Sequence, residues 1–565
     1  MRWNTKHTLK SQNPEQRQSE IIETILKNRD IKNQEKFFNP PHPSTYSLKQ
    51  IGIDPQQADK AIQRIKKAIK DQEQIIVYGD YDADGITATA IMWETLHHLG
   101  AQVMPHIPDR FTEGYGMKIN TIKTLKSQFS TFNLIITVDQ GITAHDAVKY
   151  CNSQNIDVII TDHHQPDKTL PPAHAIIHST QTSGSAVAYW FCNELKTQSS
   201  KFKKSDVRSQ MSDVDNRLDL PTIGTVADLL PLTGINRSLI YHGLPILAQT
   251  ARPGLQQLFQ TAAINPDEIQ SWHIGYLIAP RINAMGRLEH ALDSLRLLCT
   301  TDTYRANQLA QILHHTNQER QSLTQQMTEH ALQQAQQQTN QNIIILGHSD
   351  YPEGIIGLIA GKLVEKYSKP AIVFSHSDKD QSSQATSKAS ARSIPNYNII
   401  EAIRTAKDYL ISAGGHPMAA GLSIQQDKLD KFTRLLIDHA QRNITAKDMV
   451  KTLHIDTQIR LADITSGLYQ QIQNFAPFGI GNFEPFFSTT NVNVQSFRAI
   501  GKQQQHLKLT ISEQDQNFTA IAFNQAHHLP NLKPGQTINI AYNITENNWN
   551  GRTNLELKIK DIKFK

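Results

Sequence analysis

Between residues 75 and 240, short apolar runs alternate with stretches of helical periodicity: IIVYGD precedes ITATAIMWETLHHLG, LIITVD precedes AHDAVKYCNSQ, and VIITDHH follows. An apolar run leading into an amphipathic stretch is a βα unit, and a series of such units predicts a parallel sheet covered by helices. Each strand candidate ends in Asp or in Asp-His-His. Ligand sites in open α/β sheets lie just beyond the carboxyl ends of the strands, so three acidic ends are expected to converge.

Residues 301 to about 338 hold no Gly or Pro and carry Leu309, Leu313, Leu323 and Met327 at helical spacing, which predicts one long connecting helix. The tail QQAQQQTNQN also reads as a low-complexity linker. From Asn342 a second βα pattern begins with NIIILG, passes through GIIGLIAGKLVEKY to AIVF, and predicts a second, smaller α/β domain. After Lys451 the texture changes to HLKLTI, FTAIAF, TINIAYNI and NLELKIKDIKF between turn residues, the pattern of a small antiparallel β-barrel. Residues 491–565 hold nine Lys or Arg against five Asp or Glu, with Phe497, Phe518, Tyr542 and Trp549 interspersed. Such a barrel can stack single-stranded bases on its aromatics, although each of these rings also suits a core position. The expected division is an N-terminal segment 1–50, a catalytic domain 51–300, a connecting helix 301–341, a second α/β domain 342–445 and a barrel 446–565.

Composition narrows the class without naming it. At 565 residues the chain is long enough for several cores, and 38% hydrophobic with 19% charged residues is globular in character. A net charge of +5 permits nucleic-acid binding but leaves any basic surface to local clustering. Cys151, Cys192 and Cys299 are odd in number and widely spaced, which argues against a disulfide framework or a thiolate metal site. The polar start MRWNTKHTLKSQNPEQ and the absence of a long apolar run predict a cytoplasmic protein with no membrane association.

The densest chemistry is GDYDADG at 79–85, where Asp80, Asp82 and Asp84 occupy alternate positions at a strand end. One Asp can cap the following helix, but three crowded carboxylates repel unless a cation offsets them. Oxygen ligands at that density suit hard divalent ions such as magnesium or manganese. The next strand ends add Asp139 in TVDQG and Asp162-His163-His164 in TDHH, and GTVADLLPL adds Asp228. Asp139 or Asp228 alone would pass for a cap or a salt-bridge partner. Together, an Asp/His set on successive strand ends can hold two metals about 3.5–4 Å apart, the arrangement that drives in-line displacement at phosphorus.

With these segments in place the sequence resembles the DHH phosphoesterase superfamily and, within it, the RecJ family of single-strand exonucleases. VYGDYDADGITATA, PDRFTEGYG, TVDQGI, TDHH, SGSAVAYWF, TVADLLPL, APRINAMGRL, EGIIGLIAGKLVEKY, SARS, SAGGHPMAAG and PFGIGNFEPFF stand in the family's order over roughly residues 75–490. The resemblance implies a DHH domain, a long interdomain helix, a DHHA1-type domain and an OB-type barrel. It implies Asp82, Asp84, Asp139, His163 and Asp228 as ligands of two manganese or magnesium ions, with Asp139 bridging and Asp80 and His164 as catalytic supports. Some superfamily members carry a His where this chain has Tyr78, which leaves the completion of the first metal open. The resemblance further places Arg110, Arg281, Ser390 and Arg392 around a terminal 5′ phosphate, a task that suits the planar guanidinium, and Gly414, Gly415 and His416 on substrate phosphate beside the metals. Gly354 and Gly357 are explained as readily by helix packing.

The reading that follows is 5′→3′ exonucleolytic hydrolysis of single-stranded DNA to 5′-mononucleotides, in repair and recombination. Single-strand-binding protein and a helicase are the implied partners. A related enzyme acting on short oligonucleotides, cyclic dinucleotides or pyrophosphate would not need the barrel. A non-catalytic DNA-binding scaffold of the same superfamily would have lost metal ligands that this chain retains.

Overall fold

The apolar runs IIVY, LIITV and DVIITD are β-strands buried on both faces, and this is why they read as continuous rather than alternating hydrophobic stretches. In the computed structural model, which describes residues 1–9, 11, 13–129, 132–200, 218–338, 340–376, 385–549 and 552–564, the chain divides into two units. One comprises residues 44–230 and 242–450, the other residues 1–43, 231–241 and 451–565.

The larger unit is built on a five-stranded parallel sheet in the order Gln102–His106, Gln74–Tyr78, Leu134–Val138, Asp157–Asp162, Ala175–His178. Helices Ala83–His98, Ile119–Gln128 and His145–Ser153 lie between these strands in sequence, with Pro55–Lys70 before them and Gly184–Ser200 after. A mostly helical layer follows, whose core joins Ile223, Leu255, Leu258, Ile278, Ile282, Leu295, Leu309 and Leu313.

The connecting helix runs over Thr303–Ala335, 33 residues, capped by the Asp302 carboxylate on the amides of Tyr304 and Arg305. Its first half buries Leu309 and Leu313 in the helical core, while Leu323, Met327, Ala331 and Ala335 pack on the second α/β core. The Gln-rich tail makes a short 3-10 turn over Gln336–Gln338, and the Gln338 side chain bonds both the amide and the carbonyl of Ile345. Thr339, in the same tail, lies outside the described residues.

The second sheet has the order Leu410–His416, Ala419–Gln425, Thr386–Arg392, Ala371–His376, Ile344–His348. Only its last pair is parallel, so this α/β domain is mixed.

In the smaller unit Phe487–Ile500, His506–Glu513, Gln516–Ala522, Arg552–Phe564 and Thr537–Trp549 pair in a closed ring, a five-stranded barrel without a free edge. Alternate residues such as Leu507, Leu509 and Ile511 point inward. The N-terminal segment belongs to this unit. Strand Arg2–Thr8 pairs in parallel with Thr452–Gln458, and helix Pro14–Asn28 inserts Ile21, Ile25 and Leu26 into the barrel core. The Arg17 guanidinium grips the Asp463 carboxylate through two bonds of 2.9 and 2.6 Å, with both residues buried.

Removing one partner of a buried pair leaves the other charge uncompensated. Arg17→Ala should therefore lower the stability of the barrel unit by about 3 kcal/mol in urea unfolding, the lower part of the usual range because Arg460 still bonds Asp463. A cost near zero would mean that the N-terminal segment does not fold as part of this unit.

Candidate metal centre

Strand Gln74–Tyr78 ends in Gly79 and Asp80, and helix Ala83–His98 starts three residues later with Asp82 as its N-cap. The Asp82 carboxylate accepts from the Gly85 amide at 3.0 Å, so the capping role is real, and it uses only one of the two oxygens. Asp80 accepts from the Tyr81 amide at 2.8 Å. Asp84 points from the first turn to the N-terminus of helix Gly184–Ser200, where the amides of Gly184 and Ser185 donate to it at 2.7 and 3.1 Å. A helix N-terminus carries partial positive charge, which is how this carboxylate tolerates burial.

Two glycines let the backbone close in. A Cβ on Gly184 would collide with the Asp139 carboxylate, and one on Gly224 would collide with Asp84 and Ser185.

Asp139, at the end of Leu134–Val138, sits at a φ of 60°. That left-handed conformation costs energy in a non-glycine residue and concentrates at functional positions. Asp228 caps the carboxyl end of helix Asp219–Ala227, and Leu229, with the same φ of 60°, turns the chain away.

These elements bring Asp80, Asp82, Asp84, Asp139, His163, His164 and Asp228 around one point. Three overlapping groups have candidate ligand atoms within 4.8 Å of one another: Asp84, His163 and Asp228; Asp80, Asp82 and Asp139; Asp139, His163 and His164. Asp139 belongs to two of the groups and lies 3.1 Å from His163 Nε2 in the third.

That contact tests whether a cation fits. Asp139 Oδ1 is buried and accepts no hydrogen bond, although His163 Nε2 is 3.1 Å away. Two ligands at about 2.1 Å from one octahedral ion stand roughly 3 Å apart without bonding each other. The donor set, five carboxylates with one or two imidazoles, suits a hard divalent ion.

The electrostatics agree. Burial, then the charges of Asp84, Asp82 and Asp80, hold the Asp139 carboxyl well above the usual range. Burial and Asp82 push Asp80 up to about 8, and burial with Asp84 does the same for Asp228. Burial lowers His163, which keeps its imidazole neutral and able to ligate. His164 behaves differently. Burial opposes its protonation, but the 2.8 Å bond from its Nδ1 to Asp162, with the Asp162 charge, raises it to about 9. Asp162 is saturated by Ile142, His163 and His164 donors and acts as a brace for the pair of histidines.

Tyr78 takes no part. It packs in the core with Met117 and Ile122, so Asp80 is the residue placed to complete the group of Asp82 and Asp139.

Beside the carboxylates stands a group of arginines. Arg287 is lowered to about 10, first by burial and then by the nearby charges of Arg110, Arg320 and Arg392, with Asp82 opposing. The hydrogen bonds of these arginines go to neutral oxygens: Arg287 to Gly354 carbonyl, Arg320 to Asn317, Arg392 to Ser390 and Ala391. Arg110 lies 5.1 Å over the Tyr81 ring, and Arg320 Nε is buried without a partner. Gly354 and Gly357 provide the close approach, the first against the Arg287 backbone and the second beneath Ser390 and Arg392.

Arg281 is not among them. Its guanidinium donates to the Leu277 carbonyl at 2.6 Å and faces His314, because Arg287, six residues on, points about 120° away around the helix. Gly414, Gly415 and His416 lie on the exposed edge strand of the second sheet, outside the groups of candidate ligands.

Sequence reasoning also missed Asn283, whose side chain holds the Ala83 amide at 2.7 Å and so fixes the Asp82 turn, and Tyr115, whose hydroxyl is 3.3 Å from His164 Nε2. Both stand inside quoted motifs, which was the available signal. In the barrel Tyr542 is core, Phe497 and Phe518 are partly buried against the core, and the side chain of Trp549 lies outside the described residues. Among the described residues Phe523 is an exposed ring there, 5.1 Å from His506 and 5.6 Å from Lys558 Nζ.

Three family models match the chain: DHH family, N-terminal domain, at residues 74–224; DHHA1 domain at 340–442; and RecJ OB domain at 455–561. The single-stranded-DNA-specific exonuclease RecJ of Thermus thermophilus is 30% identical over 88% of this chain and 70% of its own length. That of Bacillus subtilis is 36% identical over 89% of this chain, which spans 63% of that relative. The crystal structure of the Thermus thermophilus RecJ in complex with Mn2+ superposes with a TM-score of 0.80 at 26% identity, covering 100% of this chain and 79% of that one. An exonuclease RecJ bound to manganese gives 0.58 at 31% identity, covering 70% and 96%.

Raised carboxyls make metal binding and protonation compete. In the metal-free fold Asp80 and Asp228 hold protons up to about pH 8, whereas unfolded Asp loses its proton near 3.9. Their contribution to stability thus falls as pH rises between those values. A bound cation replaces the protons, so magnesium should raise the melting temperature more at pH 8 than at pH 6, and calorimetry near pH 6.5 in buffers of different ionisation heat should show proton release. An equal shift at both pH values would contradict the assignment.

Proposed function

This chain belongs to the RecJ family of single-stranded-DNA-specific exonucleases, and from that premise we propose that it degrades single-stranded DNA 5′→3′ to 5′-mononucleotides. The observation that carries the proposal is the adjacency of a seven-residue Asp/His cluster and a group of arginines that meet at Asp82 within one unit. Asp82, Asp84, Asp139, His163 and Asp228 would hold two divalent ions, manganese or magnesium, with Asp139 between them. Bound there, the ions supply an activated water and offset the charge on both oxygens of an in-line displacement at phosphorus. Asp80 completes the group of Asp82 and Asp139, and His164, protonated and braced by Asp162, presents a positive edge to the scissile phosphate.

Polarity comes from the arginines, since a two-metal centre hydrolyses a phosphodiester in either strand direction. Arg110, Arg287, Arg320 and Arg392 with Ser390 form the pocket for a terminal 5′ phosphate, and donors without carboxylate partners are free to bond its oxygens. Gly414, Gly415 and His416, on an exposed strand, are available to the downstream backbone. The barrel carries a cation–aromatic spot at Phe523 and Lys558 of the kind that holds a single strand. A cytoplasmic role in repair and recombination, with single-strand-binding protein and a helicase exposing the 5′ end, accords with the family.

Matched single strands bearing a 5′ phosphate or a 5′ hydroxyl, labelled at the 3′ end, test the pocket. Wild type should shorten them from the 5′ end and favour the phosphate. Arg287→Ala and Arg392→Ala should each lose roughly ten- to a hundred-fold of that preference, the worth of one charge-assisted bond, while still cleaving. Indifference of the wild type to the 5′ group, or digestion from the 3′ end, would overturn both pocket and polarity.

A further inference from the structure

Helix Ala279–Leu288 is preceded by a π-helical turn, Ile274–Ile278, placed just before Pro280. Proline removes an N–H from the ladder, and a widened turn accommodates the loss; such turns recur at functional sites. Ile274 and Ile278 are fully buried on one side of the segment. On the other, Trp272 is 49% and Tyr276 75% exposed, two large rings four residues apart facing solvent. The Trp272 ring is further stacked on His273 at 3.8 Å.

The position of this face matters more than its exposure. A Cβ on Gly275, next to Tyr276, would touch the Val226 side chain at 4.0 Å, and Val226 stands two residues before Asp228. Leu229, 65% exposed, follows Asp228 directly. The segment that carries the rings thus packs against helix Asp219–Ala227, whose carboxyl end delivers Asp228 of the metal centre. Arg281 fixes the segment by donating to the Leu277 carbonyl and reaching His314 of the long helix, so the platform is rigid rather than a loose surface turn.

We infer that Trp272 and Tyr276 form a base-stacking platform that holds nucleotides of the single strand next to the metal centre. The inference rests on the single-strand reading above and assigns to it a subsite that recognises bases, where the metals and the arginines recognise phosphate. Stacking accepts every base, because each has a π-face, and so fits an enzyme that must pass any sequence. Arg281 acquires a role here that the phosphate pocket did not provide: it positions the platform and touches no substrate.

The test uses the full chain with calcium in place of magnesium, so that binding of a 5′-phosphorylated fluorescent oligonucleotide can be read by anisotropy without cleavage. A second oligonucleotide carries abasic sites at its first several positions. The double variant Trp272→Ala/Tyr276→Ala should bind the normal strand roughly 5- to 100-fold more weakly than wild type. It should bind the abasic strand as wild type does, and Trp272→Phe/Tyr276→Phe should recover most of the loss. In magnesium the Ala variant should show the defect in KM rather than in kcat. Unchanged affinity, or an equal loss on the abasic strand, would overturn the platform while wild-type cleavage left the exonuclease reading standing. A wild-type protein that neither binds nor cleaves single strands would overturn both.

Discussion

Carboxylates packed into one buried volume repel one another, and here Asp80, Asp82, Asp84, Asp139 and Asp228 share the carboxyl edge of a single sheet. Much of the surrounding structure is the means by which the chain tolerates that crowding. The amino end of helix Gly184–Ser200 is aimed at Asp84, the Gly85 amide takes one oxygen of Asp82, and Asp162 is neutralised by His164. Gly184 and Gly224 exist at these points because a methyl group would occupy the space of a carboxylate oxygen. What remains uncompensated is Asp139, strained in its backbone, held well above the usual carboxylate range by burial and then by its acidic neighbours, and lacking a donor on Oδ1. A divalent cation answers that deficit, and one placed on either side of Asp139 answers it twice.

Charge is separated within the larger unit. The strand ends supply the acidic floor, whereas the basic wall is assembled from four separate places: Arg110 after the edge strand, Arg287 on helix Ala279–Leu288, Arg320 on the connecting helix, and Arg392 on the second sheet. The long helix makes this assembly possible, because its two halves are buried in different cores and so hold the second sheet against the first domain. The bond from Arg287 to the Gly354 carbonyl and the two glycines of that turn bring the parts together at close range.

This contrast also explains what could be seen in the sequence. The acidic strand ends were legible because each is a local event: a buried run, its termination, and an Asp in the next position. The long helix and the barrel were legible from periodicity. Strands Gln102–His106 and Ala175–His178 were not, since they lie at the sheet edges and lack the long apolar run of the central strands. The arginine wall was legible only in part. Arg110 and Arg392 stood in motifs, but choosing between Arg281 and Arg287 requires knowing which face of a helix meets the second domain, and Arg320 is one polar residue in a polar helix. The N-terminal segment looked separate because its partners, Asp463 and the strand Thr452–Gln458, lie more than four hundred residues away.

The central claim is that the carboxylate cluster is a two-cation site organised on Asp139. It is tested most directly by crystals grown with manganese and measured at the manganese absorption edge. The account requires two anomalous peaks about 3.5–4 Å apart, one among Asp84, His163 and Asp228 and the other among Asp80, Asp82 and Asp139, with the Asp139 carboxylate touching both. A single peak that leaves Asp139 unligated, or peaks away from the strand ends, would contradict it.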